Sequence, residues 1–246
     1  MTDIAIIAGT GFESLPELTL ETELECETRW GPPSAPLQHG RLDGHSVWFL
    51  SRHGHDHGLA PHAINYRANL QALADQGVTR VLAVYTTGGI AAELAPGSFV
   101  VPHDLVDYTW GREHSFSTPG NVLHEDMSEP WDPALRAALI AAGRQVLGPE
   151  GALFDRGVYA ATQGPRLETP AEINRLERDG CTVVGMTGMP ETGLARELGM
   201  AMAAIALVVN PAAGRGAISM AEIEAVAGQG RTRLLRILAA VVAELS

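Results

Sequence analysis

The sequence predicts an α/β fold, a mostly parallel sheet covered on both faces by helices. Short, continuous apolar runs of strand length recur along the chain, as strands buried on both faces require. Between them lie helical segments with their own start and stop signals. The 246 residues suit one large layered domain, 1–246, and no repeat, low-complexity tract or linker divides them.

The strands are expected at Ile4–Ala8, Val47–Leu50, Val81–Tyr85, Phe99–Val101, Val158–Ala161, Thr182–Val184 and Ala203–Val209. The first helix is read from Pro61 to Gln76, with Gly77 as its stop. The next runs from Pro133 to Leu147, where Asp132 can cap the first turn and Pro133 fits the first helical position. Thr169-Pro170-Ala171-Glu172 has the spacing of a capping box, and a further helix runs from Pro190 to Gly199. Ser219-Met220-Ala221-Glu222 has the same spacing and opens a C-terminal helix carrying Ile223, Leu234, Leu235, Ile237 and Leu238. From Thr109 to Trp131 periodicity is weak and Ser, His, Pro and Gly are frequent, which predicts a long loop of the kind that often carries function.

Composition excludes several functions. Hydrophobic residues make up 46%, enough for a substantial core and too many for a disordered chain. A formal charge of −12 leaves no basic surplus to displace counterions from a polynucleotide, although a small anion needs only two or three local donors. Cys26 and Cys181 offer neither a disulfide framework nor a metal spacing. Thr2-Asp3 leads straight into a strand-like run, with no basic segment before a long apolar one, so no signal peptide and a cytoplasmic location are expected. No apolar run reaches the roughly 18–20 residues that would span a bilayer, so no membrane partner is expected.

Gly9-Thr10-Gly11 follows a strand but lacks the third glycine of a dinucleotide fingerprint, since Ser14 stands there. It reads either as a plain turn or as a turn whose amides and Thr10 hydroxyl grip a phosphate. His53, His55, His57 and His62 crowd one loop with Asp56, but Asp56 directly follows His55, which breaks the register of a metallohydrolase motif. No metal is expected. Arg52-His53 reads better as an anion clamp, with the other three histidines as loop and surface residues. Thr86-Thr87-Gly88-Gly89 is either a plain strand-ending turn or a set of amides for an oxyanion. Glu168 can accept from a ring N–H, and Asn210 can donate to a carbonyl oxygen. Each has an ordinary alternative: Glu168 lies beside the Thr169 capping box, and a lone amide is often a cap or surface residue. Taken together, these pieces describe a pocket holding a phosphate, a ribose and a purine side by side.

The ordered set GTG, RHG, NYRANL (Asn65 to Leu70), GPRLET (Gly164 to Thr169), MTGMPE (Met186 to Glu191) and VVNPAAG (Val208 to Gly214) resembles the trimeric purine nucleoside phosphorylase and methylthioadenosine phosphorylase family over nearly the whole chain. Within it, the sequence is most similar to the bacterial branch acting on S-methyl-5′-thioinosine. The resemblance implies a three-layer nucleoside phosphorylase-like fold, with a central mixed, mostly parallel sheet flanked by helices. It implies a homotrimer, inorganic phosphate as co-substrate and no other cofactor. The implied reaction yields hypoxanthine and 5-methylthioribose 1-phosphate; inosine or guanosine phosphorolysis and methylthioadenosine phosphorolysis are the alternatives.

The resemblance also assigns residues. Thr10, Arg52, His53, Thr86 through its amide and Thr187 would hold phosphate, and Met186 would lie under the ribose. Leu167 would face the purine where many relatives have phenylalanine, keeping an apolar wall but losing a ring to stack on. Glu168 and Asn210 would read the purine edge and, with His53, carry the chemistry. Adenine-specific relatives carry a serine for the glutamate and aspartates in the Asn210-Pro211-Ala212 segment, so Asn210 and Ala212 suit a 6-oxopurine. Met220 stands near the position where ordinary nucleoside phosphorylases place a histidine for the 5′-hydroxyl, and so suits a methylthio group. His124 resembles the histidine that reaches a neighbouring subunit's pocket. Tyr85 departs from the small threonine or asparagine of relatives.

Overall fold

The computed structural model describes residues 3–12 and 15–246; Thr2 and Ser14 lie outside the described residues. In chain order the elements are β1 (Ile4–Ala8), β2 (Leu18–Leu24), β3 (Leu37–Leu42), β4 (His45–Ser51), α1 (Tyr66–Asp75), β5 (Arg80–Gly89), β6 (Phe99–Val100), β7 (Asp104–Asp107), α2 (Pro133–Leu147), β8 (Leu153–Phe154), β9 (Val158–Ala161), α3 (Pro170–Arg178), β10 (Val183–Gly185), α4 (Gly188–Glu197), β11 (Ala201–Pro211) and α5 (Met220–Leu245).

The strands form one mixed sheet, ordered β2-β3-β4-β1-β5-β10-β9-β7, with β11 paired to β5 and β6, and β6 to β8. Pairing around β1 is parallel on both sides, and β5–β11, β9–β10 and β7–β9 are parallel too. One face of β1, β5 and β11 packs Ile4, Ile6, Leu82, Ile205 and Leu207 against α2 and α5. The other packs Ile7, Val81, Ala83, Ala204 and Ala206 against α1 and α4. α3 lays Ile173 and Leu176 on the β9–β10 wing. Burial on both faces is why these strands read as unbroken apolar runs.

β5 positions the site. Along one edge it pairs with β11 from Arg80 to Gly89. Along the other it pairs with β1 only as far as Ala83, and with β10 only at Gly88 and Gly89. Val84 to Thr87 therefore face a split in the sheet, where backbone polar groups need partners other than a neighbouring strand.

The helix signals mostly do what the sequence predicts. Asp132 accepts from the Leu135 amide at 2.8 Å. Thr169 and Glu172 close a reciprocal capping box at 2.7 and 3.2 Å. Gly77 follows the end of α1 with a φ of +80°. Within α4, Met189 has non-helical angles (φ −122°, ψ 141°), so the regular helix runs from Pro190, as expected. Three expectations need correction. α1 begins at Tyr66 rather than Pro61, because the Asn65 side chain accepts from the Ala68 amide and sets the cap there. Ser219 precedes α5 but makes no side-chain cap bond, so the second capping box is not formed. Thr86-Thr87-Gly88-Gly89 is no turn: β5 runs through it, held by β11. The long 109–131 segment contains neither helix nor strand, as expected, apart from an isolated bridge between Thr118 and Asn121.

Candidate active site

A cavity of about 450 Å³ opens at the split in the sheet. β1 ends into it with Gly9 and Thr10, and β4 with Arg52 and His53. β5 contributes Val84 to Gly88, and the turn after β10 contributes Met186 and Thr187. Leu167 and Glu168 line it too, as do Asn210 and Ala212 from the end of β11. Ile218, Met220 and Ile223 also line it. Eleven expected residues from seven segments thus share one cavity: Thr10, Arg52, His53, Thr86, Leu167, Glu168, Met186, Thr187, Asn210, Ala212 and Met220. Pro211 and His124 do not line it. Pro211 instead offers its carbonyl to the Asn210 amide at 2.7 Å, and His124 is exposed on the 109–131 segment.

Arg52 is not the open guanidinium clamp the sequence predicts. Its side chain is 1% exposed, and a guanidinium has five N–H donors. Nε and Nη2 form a two-pronged pair with Glu191 at 2.7 and 2.8 Å. Nη2 also donates to the Ile7 carbonyl at 3.2 Å, and Nη1 to the Val84 carbonyl at 3.0 Å. The guanidinium therefore bridges the split, serving carbonyls of both parted strands. Tyr85, 2% exposed, donates its hydroxyl to Glu191 Oε2 at 3.0 Å and lays its ring 4.8 Å from the Arg52 guanidinium carbon. Burial opposes the Arg52 charge, but the Glu191 carboxylate outweighs it and the pKa is raised. Burial, and then the Glu191 charge, push the Tyr85 phenol well above its ordinary value, so it remains a donor.

His53 presents its Nδ1 to the Leu59 carbonyl at 2.7 Å. A carbonyl only accepts, so the proton is on Nδ1, and Nε2 donates to an anion only when the ring is protonated. That qualifies the expectation of a plain imidazole donor. Gly9 makes the arrangement possible: a Cβ there would lie 2.9 Å from His53 Cδ2 and 3.1 Å from Arg52 Nη1, so both side chains approach bare backbone. His57, read from sequence as a surface residue, is exposed but also lines the cavity, its ring centroid 4.6 Å from that of His53. His55 and His62 are exposed and do not line it. Among the described residues, no group of three or more His, Cys, Asp or Glu side chains is arranged to hold a metal ion.

Glu168 Oε1 accepts from Thr162 Oγ1 at 2.6 Å, which fixes the carboxylate and leaves Oε2 for a ligand. The β11 register shifts between Val208 and Asn210; such a bulge re-aims the side chains that follow. The amide packs against Gly88: a Cβ there would lie 3.2 Å from Val184 Cγ1 and 3.4 Å from Asn210 Nδ2. One Nδ2 proton is taken by Pro211, leaving the second and Oδ1 for a ligand.

Arg112, which no sequence motif marks, comes from the long segment and is 8% exposed. Nη1 donates to the Met186 and Met189 carbonyls at 2.8 and 2.6 Å, and Nη2 to the Thr162 and Gln163 carbonyls at 3.2 and 2.9 Å. It ties the cavity floor at Met186 to the strand end that holds Glu168. Tyr159 buttresses the same turn, accepting from the Thr187 and Gly188 amides at 3.3 and 3.4 Å. Burial raises its phenol to about 12.

The family model described as the phosphorylase superfamily matches residues 3–243. The chain is 53% identical to a probable S-methyl-5′-thioinosine phosphorylase of Pseudomonas syringae pv. tomato, over 98% of this chain and 99% of that protein. It is 49% identical to a probable S-methyl-5′-thioinosine phosphorylase of Xylella fastidiosa, over 89% of this chain and 94% of that protein. Among solved structures, a double mutant of the adenosine/methylthioadenosine phosphorylase of Schistosoma mansoni, in complex with adenine, superposes with a TM-score of 0.94 at 31% identity, covering 100% of this chain and 92% of that one.

Proposed function

The chain belongs to the phosphorylase superfamily, as a pentosyltransferase of the purine nucleoside phosphorylase type, and from that premise we propose that it cleaves S-methyl-5′-thioinosine by phosphorolysis, releasing hypoxanthine and 5-methylthioribose 1-phosphate. One observation carries this reading: a single cavity is lined by the donors Thr10, Arg52, His53, Thr86 and Thr187, by Glu168 and Asn210, and by the apolar Ile218, Met220 and Ile223.

A 6-oxopurine presents an oxygen at C6 and a hydrogen on the neighbouring ring nitrogen. Asn210 can donate to the first, and Glu168, held by Thr162, can accept the second. A 6-aminopurine presents the reverse pattern and would leave buried polar groups unpaired, at about 1–3 kcal/mol each. The glycosidic bond lengthens first, so the sugar gains positive charge and the departing purine gains negative charge. Phosphate, bound against the opposite face of the sugar, stabilises the cation and then bonds to the anomeric carbon. The electron pair of the broken C–N bond leaves on the purine, where the Asn210 donor meets the growing charge. His53, with its proton on Nδ1, can accept the P–OH hydrogen of a phosphate at Nε2 when neutral, or donate to it when charged.

Ile218 and Ile223, which sequence reading did not assign, make the 5′ end more apolar than Met220 alone and favour a methylthio group over a hydroxyl. Met220→His is expected to raise kcat/KM for inosine relative to methylthioinosine; an unchanged ratio would remove Met220 from the site. Leu167 and Met220 are 44% and 64% exposed in the single chain, which supports a homotrimer whose neighbouring subunit covers this end through His124.

The reading is tested by supplying methylthioinosine with and without inorganic phosphate. Hypoxanthine release that requires phosphate, with one sugar phosphate formed per base, is the expected result. Equal release without phosphate would make the protein a nucleoside hydrolase.

A further inference from the structure

We propose that Tyr85 is a positioning residue for phosphate, acting through Glu191 to aim one N–H of Arg52 at the anion; this assignment rests on the phosphorolysis reading. Four of the five Arg52 donors are engaged, by Glu191 twice and by the Ile7 and Val84 carbonyls once each. The fifth belongs to Nη1, which faces Gly9, the residue before Thr10 in the cavity wall. Arg52 therefore offers the anion one directed hydrogen bond, from a guanidinium whose charge Glu191 already balances.

Such a pair carries a hazard. A carboxylate buried beside an anion seat repels the anion it helps to orient. Tyr85 addresses this twice. Its hydroxyl donates to Glu191 Oε2, the oxygen that already accepts from Nη2, and draws negative charge away from the seat. Its ring, 4.8 Å from the guanidinium carbon, backs the guanidinium so that Nη1 cannot fall away from Gly9. All three side chains are at most 2% exposed, so water screens none of these terms. The tyrosine hydroxyl acts without touching substrate.

Tyr85→Phe keeps the ring and removes only the hydroxyl. Its phosphate KM is expected to rise about 3- to 10-fold, the worth of one hydrogen bond to a charged group's partner. The KM for methylthioinosine at saturating phosphate should stay as in wild type, and calorimetric titration of inorganic phosphate into the nucleoside-free protein should show the same weakening. Tyr85→Leu removes the ring as well and is expected to weaken phosphate further. An unchanged phosphate KM in both variants, or equal rises in both KM values as from general loosening, would overturn the assignment. Should the wild type release hypoxanthine without phosphate, the phosphorolysis reading falls and this inference falls with it; phosphate-dependent wild type with phosphate-indifferent variants overturns the inference alone.

Discussion

Asn210→Asp is expected to lower methylthioinosine turnover about 10²–10³-fold, the usual loss when a donor aimed at developing charge is removed. An ionised aspartate only accepts, so it repels the oxygen of a 6-oxopurine and welcomes the amino group of a 6-aminopurine. The ratio of kcat/KM for methylthioadenosine to that for methylthioinosine should therefore rise. The ratio is the sharper readout because the substitution also has a local cost. Asn210 Nδ2 now donates to the Pro211 carbonyl, and an aspartate oxygen there would face that carbonyl as a second acceptor. This strain lowers both activities together, whereas base recognition moves them apart. Equal losses on the two substrates would detach Asn210 from the purine.

Glu191→Gln is expected to have the largest effect on stability. It leaves the Arg52 charge 1% exposed without a counter-charge, a class of change that costs about 3–5 kcal/mol. For a chain of this size that corresponds to a fall in melting temperature of roughly 6–20 °C in phosphate-free buffer. Inorganic phosphate restores negative charge beside the guanidinium, so it should raise the variant's melting temperature more than the wild type's. An unchanged melting temperature would mean that Arg52 does not depend on Glu191.

These substitutions fall on residues of unequal visibility in the sequence. β1, β5 and β11 were legible because burial on both faces leaves an unbroken apolar run. β2 and β3 were not: of Leu18–Leu24 only Leu18 is buried, since this antiparallel edge gives most of its side chains to water and the run never forms. β7, with its outer aspartates exposed, was hidden for the same reason. In the cavity, Glu168 and Asn210 could be singled out because their chemistry matches a nucleobase, although 42 positions apart nothing local joins them. Both line one cavity, where a bulge in β11 precedes Asn210 and the Thr162 bond fixes Glu168, and neither feature has a sequence signature.

Arg52 was visible as a cation but not in its setting. The partner that balances it, Glu191, is 139 positions away and reads locally as a first-turn acid of α4. Tyr85 stood out only as a large residue where relatives have a small one, and its purpose emerges only with the split in the sheet. Arg112 carried no signal, because a buried arginine that binds only main-chain carbonyls and a tyrosine hydroxyl has no acidic partner to betray it.

A crystal structure of the protein with hypoxanthine and phosphate tests most directly whether Glu168 and Asn210 grasp one nucleobase beside the anion seat. The expected complex has Asn210 Nδ2 donating to the C6 oxygen, Glu168 accepting from the adjacent ring N–H, and phosphate among Thr10, His53, Thr86 and Thr187 with one bond from Arg52 Nη1. A base bound away from either Glu168 or Asn210, or a phosphate that Arg52 Nη1 does not reach, would contradict it.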